Sequence, residues 1–398
     1  MARGTVTAAY DQLVAEGFLD ARTGSGTVVA ALPAAARPES PTPHRDKPPR
    51  YDLRPGSPDV TTFPVSAWLR SARRALARAP MASYDYGDPQ GSMVLRTALA
   101  EYLGRARGVL ASPSHIVITS GYVQALALLA DVIDGPIATE DPGLAFHREI
   151  LLRRKGKIHL IPVDERGART DAIPEPVRAI VLTPAHQYPT GVTLHPERRH
   201  AATRWARSHG GLIIEDDYDG EFRYDRQPVG ALQGVAPDLV AYVGTASKTL
   251  GPALRLAWVV LPPRLVGAFT EAKRYNDHHT ETLGQLTLAD FITSHAYDRH
   301  IRSCRLRYRR RRDLLVERLA GHDVLGISAG LHALISLAVP GSQVVARAAE
   351  QGLALGDYAS HWHSPGPHPQ GVIVGYGTPA ERSYPAALDT LARVLHSV

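Results

Sequence analysis

Short apolar runs alternate with longer stretches of mixed polarity along most of the chain. The runs are continuously apolar, as expected of buried strands, and lie at 116–119, 180–182, 212–214, 239–244 and 256–261. Between them, apolar positions recur at the spacing of helices. This alternation predicts an α/β fold, with a three-layer large domain around a mainly parallel sheet and a smaller α+β domain in the C-terminal third.

The first 30 residues follow a different pattern. Apolar side chains recur at i, i+3, i+4 and i+7 within 5–16, which predicts a helix that ends at Gly17. Two short strands are predicted at 18–22 and 27–30, joined by a Thr-Gly-Ser-Gly turn. Residues 31–50 contain six prolines and are expected to form a semi-stiff linker.

Composition and charge narrow the class of protein. A chain of 398 residues can bury a large core and hold more than one domain. No apolar run is long enough to cross a membrane, the N-terminus has no apolar signal core, and the single cysteine is Cys304, so a cytoplasmic protein is expected. The net charge of +6 permits nucleic-acid binding. The arginine-rich stretch 302–312 is interpreted as the polar face of a helix.

The candidate chemistry centres on Lys248. This lysine lies between Thr245 and Ser247 on one side and Arg255 on the other, three groups suited to an anion. An amine shielded from water and held near fixed positive charge has a lowered pKa and can form a Schiff base with an aldehyde. A lone lysine at a strand end is more often a solvated charge, but these neighbours favour an aldehyde that carries a phosphate, such as pyridoxal phosphate (PLP).

A PLP site also needs a carboxylate for the pyridine nitrogen. Asp216 follows the apolar run 212–214, at the end of a predicted parallel strand where open α/β sheets bind their ligands. Together with Glu215, Asp217 and Asp219 it could also form a solvated loop or a metal site. The lysine that follows at the end of another predicted strand favours the cofactor interpretation, and no metal site is predicted.

The order Asp-x-Tyr, Ser-Lys and Arg resembles the fold-type I aminotransferase family. The segments TPAHQYPTG (183–191), EDDYDGEFRY (215–224) and GTASKTLGPALRLAWVVLP (244–262) are similar to those of MocR/GabR-type regulators, which fuse a GntR-type winged helix-turn-helix to an aminotransferase-like domain. The resemblance covers almost the whole chain. It implies a partial winged helix at 1–30 and an aminotransferase-like domain at 51–398.

Within that domain, the resemblance implies a large domain at about 80–290 and a small domain at about 291–398 together with 51–79. It also implies a homodimer that binds PLP. The cofactor-binding residues that it implies are Lys248 for attachment, Asp216 for the pyridine nitrogen, Tyr218 and Tyr188 near the 3-oxygen, and Arg255, Ser247, Thr245, Gly121, Tyr122 and Val123 for the phosphate. Tyr86, with Tyr84 as second candidate, is expected to reach the phosphate across the dimer interface.

Several positions depart from catalytic aminotransferases. Leu144 stands where an aromatic ring usually stacks on the pyridine, so either Phe146 is the substitute or the pyridine rests on an aliphatic side chain. Tyr188 replaces the usual asparagine. Ile373 stands where an arginine clamps the substrate carboxylate, a task that needs a guanidinium. GABA-responsive relatives carry a second substrate arginine where this chain has Phe146.

These departures favour a PLP-binding transcriptional regulator over an efficient transaminase. Its aminotransferase-like domain is expected to sense PLP itself, as regulators of vitamin B6 synthesis do, or an amine-like or amino-acid-like effector. The alternative is a stand-alone PLP-dependent aminotransferase or lyase that has lost its DNA-binding domain. A third reading is a degenerate scaffold, which the intact Lys248, Asp216 and Arg255 oppose.

The N-terminal helix and hairpin resemble the recognition helix and wing of GntR-type domains. The implied DNA-binding residues are Arg3, Thr5, Thr7 and Tyr10 on the helix and Arg22 near the wing. A complete domain has two further helices before this one, so the winged helix is expected to be partial here. Operator binding is expected if the N-terminal domain is complete, and a vestigial arm is the alternative.

Overall fold

The computed structural model describes residues 2–22, 24–31, 48–224 and 229–398. They fall into two units, Met1–Pro48 and Pro49–Val398. Most of the expected linker at 31–50, and Thr23 of the hairpin turn, lie outside the described residues. No helix of the described residues is long and apolar enough to cross a membrane.

The described residues of the first unit form one helix followed by a hairpin. Helix α1 spans Arg3–Ala15, and strands β1 (Leu19–Arg22) and β2 (Gly26–Val29) pair antiparallel, which agrees with the predicted elements. Gly17 ends the helix at a φ of 77°, a conformation that favours glycine. No residue of α1 is buried. The winged helix-turn-helix itself stays a prediction.

The second unit alternates strands and helices. Its helices are α2 (Val65–Arg78), α3 (Met93–Arg107), α4 (Tyr122–Val132), α5 (Ala145–Lys155), α6 (Pro196–His209), α7 (Pro263–Asp277), α8 (Thr282–Thr293), α9 (Ala296–Arg318), α10 (Gly341–Glu350) and α11 (Tyr384–His396). Its strands are β3 (Tyr51–Asp52), β4 (Ile116–Thr119), β5 (Ile137–Asp141), β6 (Ile158–Asp164), β7 (Gly167–Ala168), β8 (Ala179–Leu182), β9 (Leu212–Asp217), β10 (Val240–Thr245), β11 (Ala257–Val260), β12 (Val324–Leu325), β13 (His332–Leu337), β14 (Leu353–Ala354), β15 (Gly356–Asp357) and β16 (Gln370–Gly375).

Eight of these strands form the central sheet, in the order β4-β11-β10-β9-β8-β5-β6-β7. Strands β10, β9, β8, β5 and β6 are parallel, whereas β11 runs antiparallel to both β10 and β4. Every residue of β9 and β10 is buried. The α/β fold with a mainly parallel sheet is therefore confirmed.

Helices cover both faces of this sheet. Successive side chains of a strand point to opposite faces, so the apolar strands bury side chains on both sides. One buried cluster joins the sheet to α4, α5 and α7, and two others join it to α3, α8 and α6. Within β11, for example, Trp258 packs with the α3 and α8 side, and Val259 packs with the α4 and α7 side. The carboxyl ends of the parallel strands carry the site.

The C-terminal part has its own antiparallel sheet, in the order β12-β13-β16-β15. Its core joins that sheet to α9, α10 and α11, and it includes Leu53 from the start of the unit. The short strand β3 pairs with β14. This arrangement supports a smaller domain assembled from both ends of the unit.

Two details differ from the expectations. Helix α2 was assigned to the smaller domain, but Trp68 packs on Phe291 of α8 with ring centres 5.7 Å apart, in the cluster that also holds α3. The sequence of the stretch 271–288 predicts one helix or a lid. It is the end of α7 and the start of α8, separated at His278, which has a left-handed φ of 64°.

Candidate cofactor site

Strand β9 ends in three successive buried carboxylates. Glu215 accepts hydrogen bonds from the backbone N–H groups of 232–233 at 2.7 and 2.9 Å. Asp217 binds the buried guanidinium of Arg107 at 2.7 and 3.0 Å. Asp216 faces the other side of the strand, and its Oδ1 has no hydrogen-bond partner among the described residues. The flanking carboxylates are thus occupied by the protein, and Asp216 is left for a ligand.

The charge state of Asp216 depends on its surroundings. Burial raises the pKa of this carboxyl well above its usual range, and the Tyr122 hydroxyl and Lys248 oppose that effect. A buried carboxyl without a partner is costly, so a ligand that brings a proton donor to Oδ1 is stabilised there. A pyridine nitrogen that carries a proton is such a donor.

Lys248 lies in the turn after β10 and is partly buried. Its Nζ donates a hydrogen bond to the Gly56 carbonyl oxygen. Its pKa is lowered by burial, whereas the carboxylates of Asp219 and Asp216 act to raise it. The expected direction is therefore found, and of the two expected causes it is the exclusion of water that lowers the pKa of Lys248 and favours the neutral amine.

The anion-binding end of the site is built around Gly121 and Arg255. Arg255 follows the short helical turn Pro252–Leu254 at a left-handed φ of 52°, and its guanidinium lies against Gly121. Gly121 has a φ of 115°, and a Cβ there would lie 2.8 Å from Arg255 Nη2. Thr245 Oγ1 donates to Ser247 Oγ at 2.9 Å beside it. A guanidinium, two hydroxyls and the start of α4 together suit a phosphate.

These groups surround one cavity of about 310 Å³. The expected residues that line it are Lys248, Asp216, Tyr218, Arg255, Ser247, Thr245, Tyr122, Val123 and Tyr188. Gly121 lies next to it, in contact with Arg255. The structure thus brings together residues from the ends of β4, β8, β9 and β10.

Two further expected residues, Tyr86 and Phe146, do not line the cavity. Tyr86 is 80% exposed, and its ring lies 5.0 Å from that of His278. Its expected role requires a second copy of the chain. Phe146 is 55% exposed, because the first turn of α5 directs it outwards. The expectation that Phe146 would cover the pyridine ring needs correction on this point.

In this part of α5, His147 lines the cavity and Phe146 does not. Leu144, His147 and Leu151 follow one another at helical spacing and all line the cavity. The His147 ring lies 4.6 Å from that of Tyr122, with 35° between the planes. Burial, with a smaller contribution from the charge of Lys248, lowers the pKa of His147 to about 4, so the imidazole is neutral at pH 7. The i, i+3, i+7 pattern from Leu144 was the sequence signal that could have found it.

Two further lining residues were not expected from the sequence. Glu140 in β5 accepts hydrogen bonds from Thr183 N and Oγ1 at 3.2 and 2.5 Å, and burial raises its pKa to about 7. His332 in β13 is buried, its Nε2 has no hydrogen-bond partner among the described residues, and its pKa is lowered well below the usual value, first by burial. Both side chains are therefore held in or near their uncharged forms.

Tyr218 and Tyr188 close the side of the cavity nearest the smaller domain. The Tyr218 hydroxyl donates to the His186 carbonyl oxygen at 3.0 Å. The Tyr188 hydroxyl lies 3.1 Å from His361 Nε2, and burial raises the pKa of Tyr188. Both phenols are thus protonated at neutral pH, so this side offers neutral hydrogen-bonding groups.

A buried cluster of His186, Asp219 and His332 has the donor types of a metal site, with ligand atoms within 4.8 Å of one another. His186 Nδ1 and Asp219 Oδ2 are 2.8 Å apart. This is a hydrogen-bond distance, shorter than the roughly 3.3 Å between two ligands of tetrahedral zinc. We interpret the cluster as a hydrogen-bonded pair beside a third imidazole, and the absence of a metal site stays a prediction.

Ile373 stands where catalytic aminotransferases carry the arginine that binds the substrate carboxylate, and the structure shows its surroundings. Ile373 is completely buried in β16, where it is paired with Leu334 of β13. Among the described residues, the guanidinium that lines the cavity is that of Arg255. A ligand bound there with both a phosphate and a carboxylate would leave the carboxylate without a guanidinium.

The expected DNA-binding residues are all exposed. Because each residue advances a helix by about 100°, Arg3, Thr7 and Tyr10 share one face of α1 and Thr5 lies on the opposite face. Thr7 Oγ1 donates to the Arg3 carbonyl oxygen at 3.2 Å. Arg22 ends β1. A single contact surface on α1 would therefore include three of these four helix residues.

The residues of the cavity fit PLP. Asp216 Oδ1 lacks a partner that a protonated pyridine would supply, the cradle at Gly121 and Arg255 suits its phosphate, and Lys248 is an amine held within reach of the same space. When bound, PLP supplies an aldehyde that reacts with amines and a ring that withdraws electrons.

Comparison with known proteins agrees with this geometry. Residues 53–353 match the family model for aminotransferase class I and II. The chain is 32% identical to the HTH-type pyridoxine biosynthesis transcriptional regulator PdxR of Corynebacterium glutamicum, over 100% of this chain and 87% of that protein. It is 34% identical to the probable rhizopine catabolism regulatory protein MocR of Rhizobium meliloti, over 94% of this chain and 83% of that protein.

Among solved structures, kynurenine aminotransferase of Pyrococcus horikoshii superimposes with a TM-score of 0.79 at 24% identity, over 87% of this chain and 90% of that chain, which shows the shared fold. The chain therefore belongs to the aminotransferase class I and II family and, within it, to the HTH-type transcriptional regulators of the MocR kind, whose cofactor is pyridoxal 5′-phosphate.

Proposed function

We propose that this regulator senses PLP itself. The observation that carries the proposal is the set of charges around the cavity. Arg255 serves a phosphate, Lys248 an aldehyde and Asp216 a pyridine nitrogen, while no second guanidinium lines the cavity among the described residues. PLP satisfies each of these groups. The α-carboxylate of an ordinary amino acid would be left unpaired, which is costly in a buried site.

The proposed roles follow from the contacts. Lys248 gives up its hydrogen bond to Gly56 and presents a neutral amine to the aldehyde, since burial lowers its pKa. Asp216 accepts the proton donor of the ring. Tyr218 and Tyr188 lie beside the 3-oxygen, and His147 covers the ring. Arg255, Thr245, Ser247 and the turn at 121–123 hold the phosphate.

The relative from C. glutamicum is named for pyridoxine biosynthesis, and its similarity extends over the whole of this chain. A sensor of the end product would suit control of that synthesis. For PLP to act as a signal, it must bind more tightly to one DNA-binding geometry of the protein than to another. Binding to DNA also places the protein in the cytoplasm.

A homodimer is part of this proposal. Met81, Tyr86 and Tyr275 are exposed by 82%, 80% and 81%. They belong to neighbouring segments, since the turn at Met81–Tyr84 packs against α8 and Tyr86 contacts His278 at the end of α7. Large apolar side chains exposed together indicate an interface. A second copy would cover them and bring Tyr86 to the phosphate of its partner.

Two measurements test the proposal. The protein is first loaded with PLP and followed by visible absorbance while amino acids and amines are added. We expect a PLP band that none of them consumes. Conversion of the band by an amine would instead support the alternative, a PLP-dependent aminotransferase or lyase.

Loaded and unloaded protein are then used to select duplexes from a random DNA pool. We expect PLP to change the sequences selected or their affinity. Identical selection with and without PLP would contradict sensing of PLP. Loss of all selection in both states would contradict a DNA-binding role for this chain. Lys248→Ala is the matched control, because its DNA binding should no longer respond to PLP.

A further inference from the structure

Tyr122 places a hydroxyl next to the carboxylate of the cofactor site. It is the first residue of α4 and lines the cavity. Its hydroxyl is buried without a hydrogen-bond partner among the described residues, as is Asp216 Oδ1. Burial raises the pKa of Tyr122 well above its usual value, and the Asp216 carboxylate raises it further. A protonated phenol beside a carboxylate has a proton that it can donate in a hydrogen bond to that carboxylate.

The Tyr122 side chain is also held in position. Its backbone follows the turn at Ser120, whose N–H donates to Gln124 Oε1 at 2.8 Å, and Gln124 Nε2 donates to Asp277 at 2.7 Å. Its ring packs on that of His147. His147 is neutral at pH 7, because burial lowers its pKa to about 4, so it adds no charge near the carboxylate.

Asp216 needs such a donor. To pair with a protonated pyridine the carboxyl must be ionised, yet burial favours its neutral form. Lys248 favours the ionised form, but its amine is the group that the aldehyde takes up. Tyr122 takes no part in that reaction and carries no charge of its own, so its hydroxyl can act throughout.

We propose that Tyr122 is a positioning residue for the cofactor, whose hydroxyl donates to Asp216, keeps that carboxylate ionised and directs it at the pyridine nitrogen. The proposal rests on PLP binding in this cavity, and it holds whether PLP or another molecule is the effector. It also explains why a bulky residue stands at position 122, in the turn at 121–123 that is proposed to hold the phosphate.

The test is Tyr122→Phe, which keeps the ring and removes the hydroxyl. Loss of a hydrogen bond to an ionised group is expected to raise the Kd for PLP about 10- to 100-fold in an absorbance titration. Because Asp216 then takes up a proton more readily, the affinity of the variant is expected to start falling at a higher pH than that of the wild type on acidification. A role in packing alone would leave this pH profile unchanged.

The matched control is the same change in an Asp216→Asn background. There the hydroxyl has no carboxylate to stabilise, so Tyr122→Phe is expected to alter the Kd less than about twofold. An equal loss in both backgrounds, or a wild-type Kd and pH profile in the single variant, would overturn the proposal. Failure of the wild type to bind PLP would instead overturn the cofactor assignment of Lys248, so the two failures are distinguishable.

Discussion

Replacing Gly121 by alanine adds one methyl group at the phosphate end of the cavity. Gly121 has a φ of 115°, which an L-amino acid rarely adopts, and a Cβ there would lie 2.8 and 2.9 Å from the two terminal nitrogens of Arg255. Those atoms cannot stay where they are, so the guanidinium must move away from the turn. The backbone strain adds a cost of about 1–3 kcal/mol.

The size of the effect follows from these two terms. A displaced guanidinium loses a charge-assisted contact with the phosphate, worth about 1.5–3 kcal/mol. The Kd for PLP of Gly121→Ala should therefore rise about 10- to 100-fold. The strain acts on the folded protein whether or not PLP is bound, so the unloaded variant should also lose about 1–3 kcal/mol of stability.

The assay is a titration of the visible PLP band, with urea unfolding of the unloaded protein beside it. Gly251→Ala is the matched control, because Gly251 adjoins the same site, has an extended φ of 165° and has no atom within 4 Å of its added Cβ. Its Kd should stay within about twofold of the wild type. A wild-type Kd for Gly121→Ala, or an equal loss in Gly251→Ala, would refute the reasoning.

Three further predictions concern other parts of the chain. Burial raises the pKa of Glu221 to about 7 from an ordinary 4.5, so the folded protein holds this proton more tightly than the unfolded chain and loses stability as the pH rises from 4.5 to 7. Between these two pH values, the free energy of unfolding from urea curves should fall by about 1–3 kcal/mol less in Glu221→Gln than in the wild type, and an equal fall in both would contradict this. Tyr86→Ala should weaken both self-association in sedimentation and PLP affinity, and an unchanged dimer with an unchanged Kd would exclude the proposed role across the interface. Arg3→Ala should weaken DNA binding and reduce its salt dependence by about one ion, whereas Thr5→Ala on the opposite face should change neither, and equal losses would place the contact elsewhere.

The centre of the fold was predictable because its signals are local. Strands β9 and β10 are continuous apolar runs that end in chemically distinctive residues, Asp216 and Lys248. Strand β5 was missed since three of its five residues are polar, although Glu140 and Asp141 are buried and hydrogen-bonded. The break between α7 and α8 was missed because the left-handed residue that makes it is His278 and not a glycine.

The site was predictable only where its residues belong to these local signals. Which of three neighbouring carboxylates remains free depends on Arg107, more than one hundred positions away from Asp217 in the chain. The pKa of Lys248 is lowered by burial of its amine, and the depth of burial cannot be predicted from the spacing of residues in the sequence. His147 was missed because the expectation rested on Phe146, two residues after Leu144, whereas the helix directs the side chain three residues after Leu144 into the cavity.

The alternating partners at the end of β9 also fix the register of this strand at the site. Glu215 is tied to the 232–233 turn and Asp217 to Arg107, so a shift of the strand by one residue would break both attachments and turn Asp216 away from the cavity. Apolar side chains alone would resist such a shift less selectively, because neighbouring isoleucines can replace each other. The bonds of Glu215 and Asp217 thus hold Asp216, which lies between them, in its position. Insertions in the loop before β9 should therefore be absorbed by that loop, and the carboxylate that meets the cofactor should keep its place.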